Sequence, residues 1–183
     1  MEDEHYADCA GLCYECEHFS YCDLSPDTKY NGLSDFEKSR TKSIYLASSL
    51  SKECREDMYQ ILAELRRLGH NVYAPVEHSI PDAWDYPNQE WGRLVFEEDI
   101  RAIKAADIIV AISHGRTRTT SGASWEIGYA YGIGKKVLVV EMDEGPQSLM
   151  VSNGSHATVK GVDGLLGYDF SSMPKVITNS EQK

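Results

Sequence analysis

The chain has 183 residues, enough for one domain and a small extension, and its 42% hydrophobic and 26% charged residues are typical of a folded protein. With 18 Lys and Arg against 29 Asp and Glu, the formal net charge of −11 disfavours polymeric nucleic acid and anionic membranes as partners. No apolar stretch approaches the roughly 18 residues of a membrane span, and the acidic N-terminus does not resemble a signal peptide, so we expect a cytoplasmic protein.

The first forty residues are expected to form a Cys-rich extension, separate from a catalytic domain over residues 41–183. Within the extension, Cys9, Cys13, Cys16 and Cys22 lie in a stretch of 14 residues. A reducing cytosol favours a metal site over disulfides there, with tetrahedral zinc as the first expectation. An iron–sulfur cluster uses the same ligands, and unliganded or oxidised thiols remain the third alternative.

From residue 43 onward, short apolar runs alternate with helical patterns. The spacing predicts strands over 43–47, 71–75, 107–112 and 136–140, and helices over about 58–68, 90–105 and 122–133. Continuous Val and Ile runs between helices are typical of a parallel sheet that is covered on both faces. We therefore predict an α/β fold, flavodoxin- or Rossmann-like, with four or five strands. Ligands of such sheets bind beyond the carboxyl ends of the strands.

Two carboxylates fall on apolar helix faces of the predicted domain. Glu126 is the single charged residue between positions 118 and 135, and its neighbours at helical spacing are small or apolar. Asp99 repeats this pattern on the preceding helix, although a structural cap or an ion pair with Arg101 or Lys104 would also explain it. A carboxylate on such a face loses hydration and tends to a raised pKa. Two inward carboxylates at one cleft indicate chemistry at an anomeric carbon, one attacking it and the other handling the leaving group's proton.

Four segments in this order and spacing resemble the nucleoside 2-deoxyribosyltransferase family over about residues 43–170. The matching segments are Ile44-Tyr45-Leu46, Asp99 to Ile108, Gly122-Ala-Ser-Trp-Glu126-Ile-Gly-Tyr-Ala, and Pro146-Gln-Ser148-Leu-Met150. The resemblance implies that Glu126 is the nucleophile that forms a glycosyl ester, that Asp99 assists departure of the base, and that Tyr45 positions the nucleophile and the sugar. It also implies a parallel α/β sheet.

The chain departs from the transferases at the positions that contact the sugar's 5′-hydroxyl. The family places an Asp six residues before the nucleophile and an Asn of a neighbouring subunit two residues before the position of Met150. This chain has Thr120 and Ser148 there. Hydroxyls and the backbone N–H groups of a helix N-terminus, here Ser121, Gly122 and Ala123, accept a phosphate, whereas a carboxylate repels it. This pattern resembles the family's nucleoside 5′-monophosphate N-glycosidases, which hydrolyse monophosphates to base and sugar phosphate. The stretch Thr119-Thr120-Ser121-Gly122 is also compatible with a plain helix N-cap and a solvated loop.

The sequence thus predicts an N-glycosidase of (deoxy)nucleoside 5′-monophosphates. A transferase that exchanges bases on free nucleosides is the second hypothesis, and a non-enzymatic nucleotide-binding or sensor protein is the third. Trp84 and Tyr86, in the loop after the second strand, are expected to stack on the base. The resemblance also implies that Ser148 and Met150 complete a neighbour's site, and hence at least a homodimer. Neither the base nor the choice between ribose and deoxyribose follows from the sequence, and catalysis is expected to need no cofactor.

Overall fold

A computed structural model describes residues 41–78, 80, 85–115, 121–145 and 147–177. The strands are β1 (Ser43–Ala47), β2 (Asn71–Tyr73), β3 (Ile108–Ser113), β4 (Lys136–Glu141) and β5 (Ala157–Lys160). The α-helices are α1 (Arg55–Arg67), α2 (Asn88–Ala105), α3 (Ser121–Gly132), α4 (Leu149–Gly154) and α5 (Gly161–Leu166). Short 3-10 turns at Lys52–Cys54 and Pro75–Glu77 precede α1 and follow β2. The predicted Cys-rich extension lies outside the described residues.

The five strands form one parallel sheet in the order β2-β1-β3-β4-β5. This confirms the predicted α/β fold class and matches the flavodoxin-type order rather than the Rossmann order. The chain reverses its direction of progress across the sheet between β1 and β3. In open parallel sheets, a crevice for ligands forms outside the carboxyl ends of the strands at that point.

Local sequence explains how the first crossover is built. The apolar residues of α1 at positions 58, 61, 62 and 65 recur at helical spacing and are buried. Gly69 follows with a φ of 86°, a left-handed conformation that suits glycine, and its N–H donates to the carbonyl of Arg66. The helix therefore ends where the sequence predicted a C-terminal cap, and β2 begins two residues later.

Alternate residues of the strands feed two separate clusters of buried side chains. On one face, Ile44 and Leu46 pack with α1 and α5. On the other face, Tyr45 and Ala47 pack with α2, α3 and α4. All residues of β1 and β3 are buried, as expected for central strands covered on both sides.

A lysine joins the ends of the two helices on the second face. The Nζ of Lys135, which follows α3, donates to the carbonyl oxygens of Lys104 and Ala106 at 2.7 and 2.6 Å. These carbonyls lie at the C-terminus of α2, where the last carbonyl groups of a helix have no N–H donor within the helix. The Lys135 side chain therefore connects the C-terminal ends of α2 and α3 at the amino edge of the sheet.

The structure differs from the sequence-based expectations mainly at element ends. β2 stops at Tyr73 rather than at 75, and α2 begins at Asn88 rather than at 90. The elements β5, α4 and α5 were not assigned individually, since four to six residues carry little periodicity. Trp91, near the start of α2, is 43% exposed. Within the described part of the chain, no helix is both long and apolar enough to cross a bilayer.

Candidate active site

Tyr45 and Glu126 meet beneath the carboxyl edge of the sheet. Tyr45 lies in the middle of β1 and is fully buried, and Glu126 lies on the second turn of α3. The Tyr45 hydroxyl donates a hydrogen bond to Oε1 of Glu126 at 3.0 Å. A tyrosine 81 residues earlier in the chain thus holds one oxygen of the Glu126 carboxylate, and the second oxygen remains available for chemistry.

Asp99 of α2 and Glu126 of α3 line the same cavity. This cavity has a volume of about 330 Å³, and its other lining residues are mainly apolar or small: Gly92, Val95, Phe96, Gly122 and Trp125. The volume lies at the lower end of the range for small-molecule sites. Two carboxylates against an apolar wall are the arrangement that the sequence predicted from their helix faces.

The cavity raises the pKa values of both carboxyl groups. Burial raises the pKa of Glu126 to about 7, and the nearby charge of Asp99 adds to this, while the hydrogen bond from Tyr45 lowers it. Burial raises the pKa of Asp99 to about 6, again opposed by the Tyr45 hydroxyl. Groups that titrate near neutral pH can act as an acid in one step and as a base in the next.

Tyr45 remains a hydrogen-bond donor throughout the working pH range. Burial, followed by the charges of Glu126 and Asp99, raises the pKa of its phenol well above the usual range. A neutral hydroxyl beside the carboxylates stabilises their charged forms. Tyr45 therefore favours an ionised, correctly oriented Glu126 at the pH where it would otherwise be protonated.

Exposed aromatic rings surround the mouth of the cavity. Phe96 of α2 and Trp125 of α3 are about half exposed, and their ring centroids are 5.2 Å apart. Trp125 in turn stacks on Tyr129 at 5.3 Å with nearly parallel planes. A flat apolar molecule that entered between α2 and α3 would pass these rings before it reached the carboxylates.

Of the other predicted binding residues, some lie at this cavity and some do not line it. Gly122 lines it, and Ser121 and Ala123 flank Gly122 at the start of α3. Tyr86, Ser148 and Met150 are not among the described residues that line the cavity. Thr120, Trp84 and the four N-terminal cysteines lie outside the described residues. Among the residues that are described, no group of three or more potential metal ligands occurs.

His114, at the end of β3, has a different environment. Its Nε2 lies 2.8 Å from Oδ2 of Asp57 on α1, and its side chain is 1% exposed. Its Nδ1 is buried without a hydrogen-bond partner in the described part of the chain. The histidine thus ties β3 to the first turn of α1, on the face of the sheet away from Glu126.

Sequence reasoning missed the residues that shape the walls of the site. Phe96 and Trp125 each lie next to or near a predicted catalytic residue, but a single helical aromatic usually indicates packing. Tyr73 stacks on Tyr45 with ring centroids 5.6 Å apart. The sequence carries no signal for this pair until the strand order is known, because it is the parallel register of β1 and β2 that pairs Tyr45 with Tyr73.

A parallel α/β sheet of flavodoxin order, with two carboxyl groups side by side in an apolar cleft, is compatible with the class of enzymes that cleave glycosidic bonds. Residues 44–169 match the family profile described as nucleoside 2-deoxyribosyltransferase. The chain belongs to the nucleoside 2-deoxyribosyltransferase family, and it is an enzyme of glycosyl-bond transfer or hydrolysis that acts on small nucleosides or nucleotides.

The chain is also similar to solved structures. A 2-deoxyribosyltransferase from the psychrotolerant bacterium Bacillus psychrosaccharolyticus is 31% identical, with a TM-score of 0.65 over 74% of this chain and 98% of that one. A conserved protein from Enterococcus faecalis V583 is 27% identical with a TM-score of 0.48, over 56% of this chain and 65% of that one. A CMP N-glycosidase of Clostridium botulinum is 17% identical with a TM-score of 0.47, over 68% and 95% of the two chains. Among curated proteins, no significant match is found.

Proposed function

We propose that the protein hydrolyses the N-glycosidic bond of a (deoxy)nucleoside 5′-monophosphate, releasing the free base and the sugar 5-phosphate. One observation carries the proposal: Gly122, in the first turn of α3, lines the same cavity as Glu126 and Asp99. A sugar whose C1′ lies against Glu126 would then extend its 5′ end towards a helix N-terminus. The first turn of α3 contains no acidic residue that would repel an anion there.

The two carboxyl groups divide the reaction into two balanced steps. The two carboxyl groups interact and share one proton near neutral pH, and the reactive form carries it on Asp99. In the first step, an oxygen of ionised Glu126 attacks C1′, the bond from C1′ to the base nitrogen breaks, and Asp99 donates this proton to the departing base. In the second, Asp99 as a carboxylate takes a proton from water. The resulting hydroxide attacks C1′ and releases Glu126 as a carboxylate. Tyr45 holds the other Glu126 oxygen through both steps.

The 5′ phosphate would be bound by groups that the transferases lack. The resemblance to the transferases implies that Thr120 stands where those enzymes have an Asp, and Ser148 where they have an Asn. Thr120 immediately precedes α3, so a phosphate held by its hydroxyl would also face the N–H groups of the first helical turn. Phosphate binding far from C1′ can be used to orient the sugar against Glu126.

The test is base release from a panel of nucleosides and their 5′-monophosphates, separated by chromatography. Charge-assisted hydrogen bonds contribute about 1.5–3 kcal/mol each, so two or three of them give the monophosphate a preference on the order of a thousandfold in kcat/KM. Sugar 5-phosphate should accumulate in equal amount to the base. A preference for the free nucleoside would contradict the proposal.

Two variants at one position separate charge from lost hydroxyl. Thr120→Asp places a carboxylate against the phosphate and should reverse the preference, whereas Thr120→Val removes the hydroxyl without adding charge and should only reduce it. Ser148→Asn should weaken the preference mildly. Selectivity among bases should stay the same in all three variants, because the base lies at the other end of the substrate.

Transfer of a deoxyribosyl group between bases is the second candidate. The 31% identity and full-length coverage of a 2-deoxyribosyltransferase favour it. In that reaction a second base, rather than water, attacks C1′ of the glycosyl–Glu126 intermediate. Adding a labelled free base to the hydrolysis assay distinguishes the two, because only transfer incorporates the label into a nucleoside.

Assembly into at least a homodimer belongs to the same proposal. Leu149 and Met150, which follow Ser148, are 63% and 84% exposed, and Tyr131 of α3 is 64% exposed. Apolar residues of this size on one side of the molecule are typical of an interface. Family resemblance puts this segment in a neighbour's site. Sedimentation at assay concentration should therefore show a dimer or larger species, which Met150→Glu should dissociate with loss of activity, whereas an active monomer would contradict it.

A further inference from the structure

The aromatic ring beside Tyr45 belongs to Tyr73, the last residue of β2. The parallel register pairs Tyr45 with Tyr73, so both side chains leave the same face of the sheet. The two rings are stacked, with centroids 5.6 Å apart and planes 14° apart. Tyr73 also stacks on the imidazole of His78 at 4.1 Å, with planes within 5° of parallel. A series of three rings therefore begins at the hydrogen-bond donor of Glu126.

Several neighbours enclose the Tyr45 ring, which is fully buried. Ile109 of β3 lies opposite it in the register, and residues of α2 and α3 belong to the same cluster. On the other side, Tyr73 presents a ring nearly parallel to that of Tyr45. The torsion that sets the plane of a tyrosine ring is broad, so neighbours determine it rather than intrinsic preference. A stacked ring in register constrains this plane, and with it the direction in which the hydroxyl donates.

Tyr73 lies close to the site without reaching the cavity. Burial and the charges of Glu98 and Asp99 raise the pKa of its phenol, with a smaller contribution from Glu126, and Arg101 opposes them. Tyr73 is not among the described residues that line the cavity. Its neighbourhood is therefore that of the catalytic carboxylates, while direct contact with substrate falls to other residues.

We propose that Tyr73 is a positioning residue, whose stacked ring holds Tyr45 in the orientation that directs its hydroxyl at Glu126. The effect passes through Tyr45 alone. Removal of the Tyr73 ring lets Tyr45 tilt, and the hydrogen bond to Oε1 of Glu126 weakens. The proposal concerns the carboxylate chemistry and holds whether the substrate is a monophosphate or a free nucleoside.

The experiment compares Tyr73→Leu with Tyr73→Phe, using whichever nucleoside or monophosphate the wild-type protein cleaves. Misplacement of a catalytic group by about 1 Å can reduce rates a hundredfold, so Tyr73→Leu should lower kcat by about tenfold to a hundredfold with little change in KM. Tyr73→Phe retains the stacked ring and should retain most of the activity. Tyr168→Leu, which removes a buried tyrosine from the opposite face, is the matched control and should leave kcat of the folded protein unchanged.

The pH profile adds a readout that a purely structural role would not affect. Glu126 faces the Tyr45 hydroxyl from β1 and Asp99 from α2, and the hydrogen bond from Tyr45 lowers its pKa. Tyr73→Leu should therefore move the acid limb of kcat/KM to higher pH, and Tyr45→Phe should move it in the same direction. In a Tyr45→Phe background, Tyr73→Leu should cause no further shift, because the group it positions is already absent.

Two results would overturn the inference. One is an equal effect of Tyr73→Leu with and without the Tyr45 hydroxyl, and the other is an equal loss in Tyr73→Phe and Tyr73→Leu. Titration of the Glu126 side-chain carbon by NMR measures the same pKa shift without any substrate. If the wild-type protein released no base from any compound, the proposed function would fail while this titration would still decide the role of Tyr73.

Discussion

Ile44 and Leu46 of β1 pack against α1 and α5, whereas Tyr45 and Ala47 of the same strand face α2 and α3. The first face is filled by large aliphatic side chains, Met58 and aromatic residues. On the second face, alanines recur in β1, α2, β3 and α3, and two carboxylates occupy space near the surface. A single sheet thus has one face packed for stability and one face with volume left for a ligand.

Removal of the candidate nucleophile, Glu126, should have the largest effect of any change on the ligand-binding face. Glu126→Ala should reduce base release by at least about a thousandfold, because no ester with C1′ can form. The fold should persist, as judged by circular dichroism. Glu97→Ala, which removes an exposed carboxylate of α2, is the matched control. More than a few per cent of wild-type activity in Glu126→Ala would place the nucleophile elsewhere.

The second carboxylate should have a large effect that depends on the leaving group. Asp99→Asn cannot donate a proton to the base, and general acid catalysis contributes about 10²–10⁴-fold. Substrates whose base departs without protonation should lose much less. Rates across a series of bases of different pKa measure this dependence, and the same loss for every base would exclude the proton role.

Truncation of a side chain on the packed face should lower the free energy of unfolding and leave kcat unchanged. Leu65→Ala, at a fully buried position of α1, should lower the free energy of unfolding by about 2–5 kcal/mol. Its counterpart Ile127→Ala, next to Glu126 on the other face, should lower both stability and kcat. Denaturant titration and initial rates measured on each variant make the comparison. An unchanged kcat in Ile127→Ala would show that the two faces are less specialised than inferred.

The catalytic face should also reduce stability at alkaline pH. Glu126 has a folded-state pKa of about 7, raised above its usual value, so the native state holds its proton more tightly than the unfolded state. Its contribution is therefore present at low pH and is lost as pH rises through about 7. Glu126→Gln should raise the free energy of unfolding at pH 8 by about 1–3 kcal/mol and have little effect at pH 4. A stabilisation independent of pH would contradict this origin.

The N-terminal extension should have the smallest effect on catalysis. We expect purified protein to carry about one zinc per chain at Cys9, Cys13, Cys16 and Cys22. Deletion of residues 1–40 should remove the metal, as measured by elemental analysis, and chelation should leave base release unchanged because the attacking group is a carboxylate. Loss of activity on chelation, without unfolding, would show that catalysis depends on the metal of the extension.

The periodicity of apolar residues was sufficient to predict the sheet, because β1, β3 and β4 are continuous buried runs and α1 is strongly amphipathic. Glu126 and Asp99 were recognisable because a charge on an otherwise apolar helix face conflicts with the local pattern. Their placement in one cavity confirms that they lie together, while their catalytic roles stay predictions.

Other parts of the site depend on packing between distant segments, which periodicity does not describe. The pairing of Tyr45 with Tyr73 follows from strand register, and the sequence predicted both strands but not which of them are neighbours. Glu77, in the 3-10 turn after β2, forms an ion pair with Arg66 of α1 at 2.6 Å. The periodicity of apolar residues gives no signal for such a contact between the side chains of different elements.

The hydrogen bonds from Lys135 connect α2 and α3 at one end of the two helices. This connection lies at the amino edge of the sheet, whereas Gly92 and Gly122 line the cavity between the helices towards the opposite edge. At 1.5 Å per residue, the twelve residues from Lys104 back to Gly92 span about 18 Å, so a tilt of α2 by about 3° at Lys104 moves Gly92 by about 1 Å. The width of the cavity is therefore sensitive to the hydrogen bonds of Lys135, which lie far from the residues that line it.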